Sequence, residues 1–179
     1  NERQTPGEEQ DPAVHSGGVL RIHEENPFFW QYDGEPVFLI GGSVEDNLFQ
    51  IADLEEHLDL LKSVGGNYIR CTMSSRDVGN VKPYLMEDGL YDLNRWNPEY
   101  WKRFETLLRQ TRERDIIPQV ELWATYDFYH GERAWTENVF NPANNSTYNS
   151  AGSGLPETIG HSAQMKVNPL AFEDEKSNA

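Results

Sequence analysis

The chain has 179 residues, enough for one domain with a real core and short for two. Its 30 acidic residues outweigh 15 basic ones, a net charge of -15, so it repels nucleic acid and anionic membrane, and neither is expected as a partner. Its single cysteine, Cys71, rules out an internal disulfide and reads as a small buried hydrophobe inside a strand.

Residues 1–17 are polar and charged and carry Pro6, Gly7, Pro12 and Gly17, so they are expected to be a disordered tail or linker. Residues 19–23 alternate apolar and polar, as a half-exposed strand does. Residues 28–32 follow, then Asp33-Gly34, a strong tight-turn signal that predicts a short β-hairpin. The run 37–40 is continuously apolar and predicts a first core strand covered on both faces, ending at Gly41-Gly42-Ser43.

Asp53 is placed to cap a helix with Glu55 and Glu56 in its first turn, and Leu54, Leu58, Leu61 and Val64 recur at helical spacing. Gly65-Gly66 should stop it. Residues 68–73 predict the second strand, and residues 74–97 a long loop containing Pro83, Gly89 and Asn94. Asn97 and Pro98 then predict a helix start, with Trp101, Phe104, Leu107 and Leu108 as its apolar stripe. Residues 116–123 predict the third strand. This alternation of strands and helices implies a parallel sheet with helices outside. Beyond Asn141 the pattern fades. Residues 155–159 could open a short helix, and residues 172–179 read as a fraying charged end.

In parallel α/β folds ligands sit at the carboxyl ends of the strands. Three such ends offer Asp46 and Asn47, then Arg70 and Arg76, then Glu121, Trp123 and Asp127. Period-two alternation puts Gln119, Glu121 and Trp123 on one face and Val120, Leu122 and Ala124 on the helix-facing side. Tyr68, Arg70 and Thr72 oppose Ile69, Cys71 and Met73 by the same rule. Arg70 and Glu121 then point inward from neighbouring strands, either as a structural ion pair or as ligand contacts. The following loop is rich in aromatic and amide groups. Trp135, Asn141, Asn144 and Tyr148 suit a polar ring-shaped ligand, with Trp135 as a stacking face, although loop capping also explains the asparagines. Asn144-Asn145-Ser146 and Asn145-Ser146-Thr147 match the glycosylation acceptor pattern. The five histidines show no metal-ligand spacing. No phosphate loop, dinucleotide glycine fingerprint, HExxH or GxSxG is present.

In sequence order, residues 33–43, Asp46-Asn47-Leu48-Phe49-Gln50, Gly66-Asn67-Tyr68-Ile69-Arg70, residues 91–98 and Glu121-Leu122-Trp123 resemble the amino-terminal part of cellulase-like glycoside hydrolases, a group that includes bacterial proteins. The resemblance covers about residues 18–150. It implies an α/β fold: a partial (β/α)8 TIM barrel of about three βα units, preceded by the hairpin, with 151–179 as an irregular continuation. It implies hydrolysis of a polysaccharide by a retaining two-carboxylate mechanism, with no cofactor, and a secreted or periplasmic location. In the broader clan an Asn-x-x-Arg on the second strand sets the arginine beside the nucleophile, and Asn67 and Arg70 match that motif. The clan's acid/base follows the fourth strand and its nucleophile ends the seventh, so neither is assigned here. Relatives carry an acidic residue after the third-strand tryptophan, where this sequence has Ala124. What the resemblance assigns to this chain is substrate binding by Asp46, Asn47, Arg70, Arg76, Glu121, Trp123, Asp127 and Trp135. A non-catalytic carbohydrate-binding module or a purely structural α/β domain are the alternatives, and oligomeric state is left open.

Overall fold

A computed structural model describes residues 18–122, 124, 126–129 and 133–159. The expected tail 1–17, the charged end 172–179 and Trp123 lie outside the described residues. The chain divides into two compact units, Asn1–Leu39 and Ile40–Ala179.

In the first unit, β1 (Arg21–Ile22), β2 (Trp30–Tyr32) and β3 (Glu35–Val37) form an antiparallel sheet in that order. The β2–β3 turn is the expected Asp33-Gly34, both at positive φ (52° and 87°), the geometry that lets a two-residue turn follow the strand twist. The continuous run 37–40 does not become a strand covered on both faces. Only Val37 joins a ladder, and Phe38 and Ile40 are exposed. Backbone pairing passes from the antiparallel hairpin to a single parallel bridge, Gly41 to Tyr68, so no full strand forms between them.

In the second unit, a 3-10 turn at Leu48–Gln50 precedes α1 (Leu54–Ser63), then β4 (Tyr68–Thr72). Asp53 occupies the cap position of α1, but its side chain bonds no backbone N–H there. The helix stops as expected: Gly65 has φ 82°, and the Gly65 and Gly66 N–H groups donate to the carbonyls of Lys62 and Leu61. Val64 falls outside the buried stripe as the C-cap residue and is exposed.

The segment expected as a loop at 74–97 contains a second hairpin, β5 (Tyr84–Glu87) and β6 (Leu90–Trp96). Its turn is Asp88-Gly89, again with both φ positive. Asn97 then caps α2 (Pro98–Glu113), its side chain accepting from Glu99 N–H at 3.1 Å, with Pro98 in the first turn. Tyr100 and Leu107 are buried and Trp101 and Phe104 pack beside them, whereas Leu108 turns outward. Phe49 meets Tyr100 and Phe104 edge-on at 5.0 and 5.6 Å, locking the 3-10 turn onto α2.

The chain then enters β7 (Ile117–Glu121), which pairs with β4 in parallel, Tyr68 opposite Ile117 and Thr72 opposite Glu121. Residues 40–46 run along the other side of β4, held by Asn67 N–H to Ile40 O (2.8 Å), Ser43 Oγ–H to Arg70 O (2.7 Å) and Thr72 N–H to Asp46 O (2.6 Å). Ile69 and Cys71 are buried under the helices, and burial raises the Cys71 thiol pKa.

After β7, α3 (Tyr126–Tyr129) and α4 (Arg133–Thr136) bring Phe128 and Trp135 into a smaller core with Leu155. Residues 155–159 are not helical. The last helical turn is α5 (Ser150–Ser153), capped by Asn149 and closed by Gly154 at φ 76°. Among the described residues no helix is long and apolar enough to cross a membrane.

Candidate functional site

Parallel pairing fixes what lies at the strand ends. Tyr68 and Arg70 of β4 share a face with Gln119 and Glu121 of β7, as alternation requires. Tyr68 donates to the Gln119 amide oxygen. Arg70 grips Glu121 with two bonds, Nε to Oε1 at 2.6 Å and Nη2 to Oε2 at 2.7 Å. Its Nη1 donates to Asp46 Oδ1 at 2.9 Å. Asp46 is carried there by the bond from Thr72 N–H to its backbone carbonyl.

The charges continue past Asp46. Arg76 Nη2 donates to Asp46 Oδ2 at 2.6 Å and its Nη1 to Asp127 Oδ1 at 3.1 Å. Ser74 Oγ–H donates to Asp127 Oδ2 at 2.7 Å and accepts from Arg76 Nη1 at 3.2 Å. The Arg76 guanidinium also lies 4.9 Å from the centre of the Tyr126 ring. The strand ends therefore carry one chain of ion pairs: Glu121, Arg70, Asp46, Arg76, Asp127. It is driest at the Asp127 end and wettest in the middle, at Arg70 and Asp46. The side chains of Arg76 and Asp127 are 17% and 13% exposed, those of Arg70 and Asp46 44% and 48%.

Electrostatics follow this burial. The bond to Glu121 raises the Arg70 pKa, with Asp46 adding to it against partial desolvation. Burial works against the charge of Arg76, yet Asp127, Asp77 and Asp46 together outweigh it and the pKa is raised. Burial pushes Asp127 above its ordinary value, although Ser74 and Arg76 both favour its ionised form. Every carboxylate oxygen of Glu121, Asp46 and Asp127 already accepts from a guanidinium or from Ser74. Such groups present fixed charge and acceptors. None is poised as an unengaged nucleophile or proton donor.

Five of the sequence candidates thus meet: Asp46, Arg70, Arg76, Glu121 and Asp127. Asn47 does not join them. It is buried, donates its amide N–H to Asn80 Oδ1, and lines a separate cavity of about 360 Å³ with Glu45 and Asp77. Trp135 is no stacking platform. It is fully buried, its indole N–H donates to Pro156 O at 3.0 Å, and its ring leans on Phe128. Trp123 lies outside the described residues.

The asparagines of the loop act as internal caps. The Asn141 side chain donates to Trp135 O and Glu157 O, and that of Asn144 to Thr136 O and Asn138 O. Asn145 is buried and donates to Val139 O and Asn141 O. A glycan on Asn144 or Asn145 would break these bonds, so the acceptor patterns do not fit the folded chain. Tyr148 donates to Phe140 O at 2.7 Å, and burial pushes its phenol up to about 12.

Sequence reasoning did not give Ser74 or Tyr126 these roles. Ser74 directly follows the second strand and Tyr126 precedes Asp127, so position was the available signal. Asn67, half of the Asn-x-x-Arg match, holds Ile40 N–H through its side chain at 2.8 Å. Among the described residues no group of three or more His, Cys, Asp or Glu is arranged to hold a metal.

No family model and no curated protein matches the chain. Among solved structures, a crystal structure of a "putative glycoside hydrolase" from Bacteroides vulgatus ATCC 8482 is similar, with a TM-score of 0.50 and 14% identity. The match covers 65% of this chain and 26% of that one. At that identity the likeness is one of fold, over about a quarter of the other protein's length.

Proposed function

We propose that the chain belongs to a glycoside-hydrolase-like α/β protein and supplies part of its carbohydrate-binding wall. In this reading β4 and β7 are the second and third strands of a (β/α)8 barrel. The chain's partner is a polysaccharide or oligosaccharide whose glycosidic bonds are hydrolysed by a retaining two-carboxylate mechanism. Asp46, Arg70 and Glu121 meet sugar hydroxyls at the open end, while Arg76 and Asp127 hold them in place. The acid/base and the nucleophile are residues other than these.

One observation carries the proposal: the ion-pair chain lies at the carboxyl ends of adjacent parallel strands, where α/β folds bind ligands. The fold likeness to part of a glycoside hydrolase adds to it. The occupied carboxylate oxygens support binding roles over catalytic ones. They fit a non-catalytic carbohydrate-binding domain equally, and turnover separates the two readings.

The test is a titration with cello-, xylo- and manno-oligosaccharides followed by NMR. Guanidinium signals of Arg70 and Arg76 should shift, and Asp46→Asn, which keeps the shape, should weaken binding about fivefold or more, the loss of one charge-assisted bond. No shift at millimolar sugar would overturn the carbohydrate reading. Hydrolysis by the 179-residue chain that is lost in Glu121→Gln would move a catalytic role onto that residue.

A further inference from the structure

Beside the dry end of the ion-pair chain is a cavity of about 290 Å³ with mainly apolar walls that include several aromatic rings. Tyr84 of β5 stacks on Trp96 of β6 at 4.8 Å, and Trp101 of α2 stands edge-on to Trp96 at 5.0 Å. Phe140 closes another side, edge-on to Tyr84 at 5.8 Å. Charge enters through Arg76, Asp127 and Lys82 alone among the lining residues.

Those three groups are not equivalent. Arg76 and Asp127 neutralise each other, and Arg76 is bound by Asp46 as well. Lys82 donates to two backbone carbonyls, Ser75 O at 2.8 Å and Glu137 O at 3.4 Å. No carboxylate of the described residues lies within 4.0 Å of its Nζ. An ammonium has three protons to give, so one is left over. Glu137, Asp127 and Asp77 act on it only at longer range, with Arg133 opposing them, and burial lowers its pKa. In a chain with twice as many acids as bases, 30 against 15, a half-buried cation without its own carboxylate is an unmet demand for an anion.

We propose that this cavity binds a small aromatic carboxylate, one or two fused rings bearing a single acid group. The rings lie among Tyr84, Trp96, Trp101 and Phe140, and the carboxylate takes the spare proton of Lys82. The volume, about 290 Å³, lies just below the roughly 300–1,000 Å³ typical of ligand pockets, which suits one or two rings and excludes a long chain. Aromatic-lined sites also take organic cations. Here a cation would meet Lys82, whose charge no lining carboxylate pairs directly, so the sign of the charge discriminates. The inference does not depend on the carbohydrate reading, because it assigns no sugar contact to any residue.

The experiment compares three probes of one shape: 2-naphthoate, neutral 2-naphthylmethanol and cationic 2-naphthylmethylammonium. Each is titrated into the 179-residue protein while the indole N–H signals of Trp96 and Trp101 are followed. The expected order is naphthoate tightest, by about tenfold over the alcohol, with the ammonium weakest; one charge-assisted bond supplies that factor. Lys82→Met keeps the apolar stem and should reduce the naphthoate preference to within about twofold while leaving the alcohol unchanged, which also reports that the cavity is intact. Lys82→Arg should restore the preference. Equal binding of the three probes by the unaltered protein, a tighter ammonium, or no binding at millimolar probe would overturn the assignment without any variant. So would a naphthoate preference that survives in Lys82→Met.

Discussion

Replacing Arg76 with Met tests whether the ion-pair chain is anchored at its dry end. Met keeps the apolar stem and removes the guanidinium. Asp46 retains Arg70 at 2.9 Å and is nearly half exposed, so its loss is worth about 0–1 kcal/mol. Asp127 is different: it is 13% exposed and keeps only the Ser74 hydroxyl as a direct partner. Stranding one member of a buried pair costs about 3–5 kcal/mol, and the longer-range charge of Lys82 brings the expectation to about 3 kcal/mol at pH 7. The pH dependence has a definite sign. Burial holds the Asp127 carboxyl above its ordinary value, so the folded state takes up a proton more readily than the unfolded one. Its contribution to stability is complete below the ordinary carboxylate range and is lost as pH rises through the folded value. Without Arg76 that value climbs further, so the penalty should shrink on acidification. Urea unfolding of the parent, Arg76→Met, Asp127→Asn and the double variant at pH 7 and pH 4.5 measures both effects. The double variant should lie within about 1 kcal/mol of Asp127→Asn, because the stranded charge is gone. A single-variant cost below about 0.5 kcal/mol at pH 7, or additive costs in the double variant, would refute the reasoning.

Three further outcomes follow from local geometry. A Cβ at Gly41 would overlap the Tyr68 carbonyl, whereas one at Gly42 meets nothing within 4 Å. Gly41→Ala should therefore lower the urea midpoint by an amount equivalent to about 2 kcal/mol or more, and Gly42→Ala should leave it nearly unchanged. Asn97→Ala removes the α2 cap and should cost about 1 kcal/mol by the same measurement. Burial raises the Tyr148 phenol to about 12, so its stabilising contribution is complete below about pH 10 and is lost as pH rises through 12. Tyr148→Phe should cost about 1 kcal/mol at neutral pH and flatten the fall in Tm between pH 10 and 12.

The sequence shows the strand-end charges but not their register. Alternation puts Arg70 and Glu121 on one face, and it is the pairing of Thr72 with Glu121 that brings the guanidinium onto both carboxylate oxygens. The helices were legible because their signals are local: Asn97-Pro98 at one start, Gly65-Gly66 at one stop. The β5–β6 hairpin was legible in principle, since Asp88-Gly89 repeats the signal of Asp33-Gly34. It was masked by Pro83, Gly89 and Asn94, which read together as loop. Composition did not reveal the burial of Trp135 and Asn47. A tryptophan in a polar loop and an asparagine at a strand end look like ligand contacts, and both are buried: the Trp135 indole N–H donates to Pro156 O and the Asn47 amide N–H to Asn80 Oδ1, while Asn47 Oδ1 accepts from no described residue. Burial is a property of the whole packing, so no local pattern separates an asparagine that caps a loop from one that binds a sugar.

The unequal exposure along the ion pairs assigns different work to chemically similar groups. Asp46 is held from both sides, by Arg70 and Arg76, and is the most exposed carboxylate of the three. It is therefore fixed in position yet open to solvent, the combination a recognition group needs. Asp127 is fixed by Ser74 and Arg76 and nearly closed to solvent, so its charge is spent on orienting Arg76. A substitution at Asp127 should then reach a ligand only through Arg76 and Asp46, loosening binding by less than Asp46→Asn does. The opposite ranking in the oligosaccharide titration would place the ligand at the Asp127 end, against the aromatic cavity.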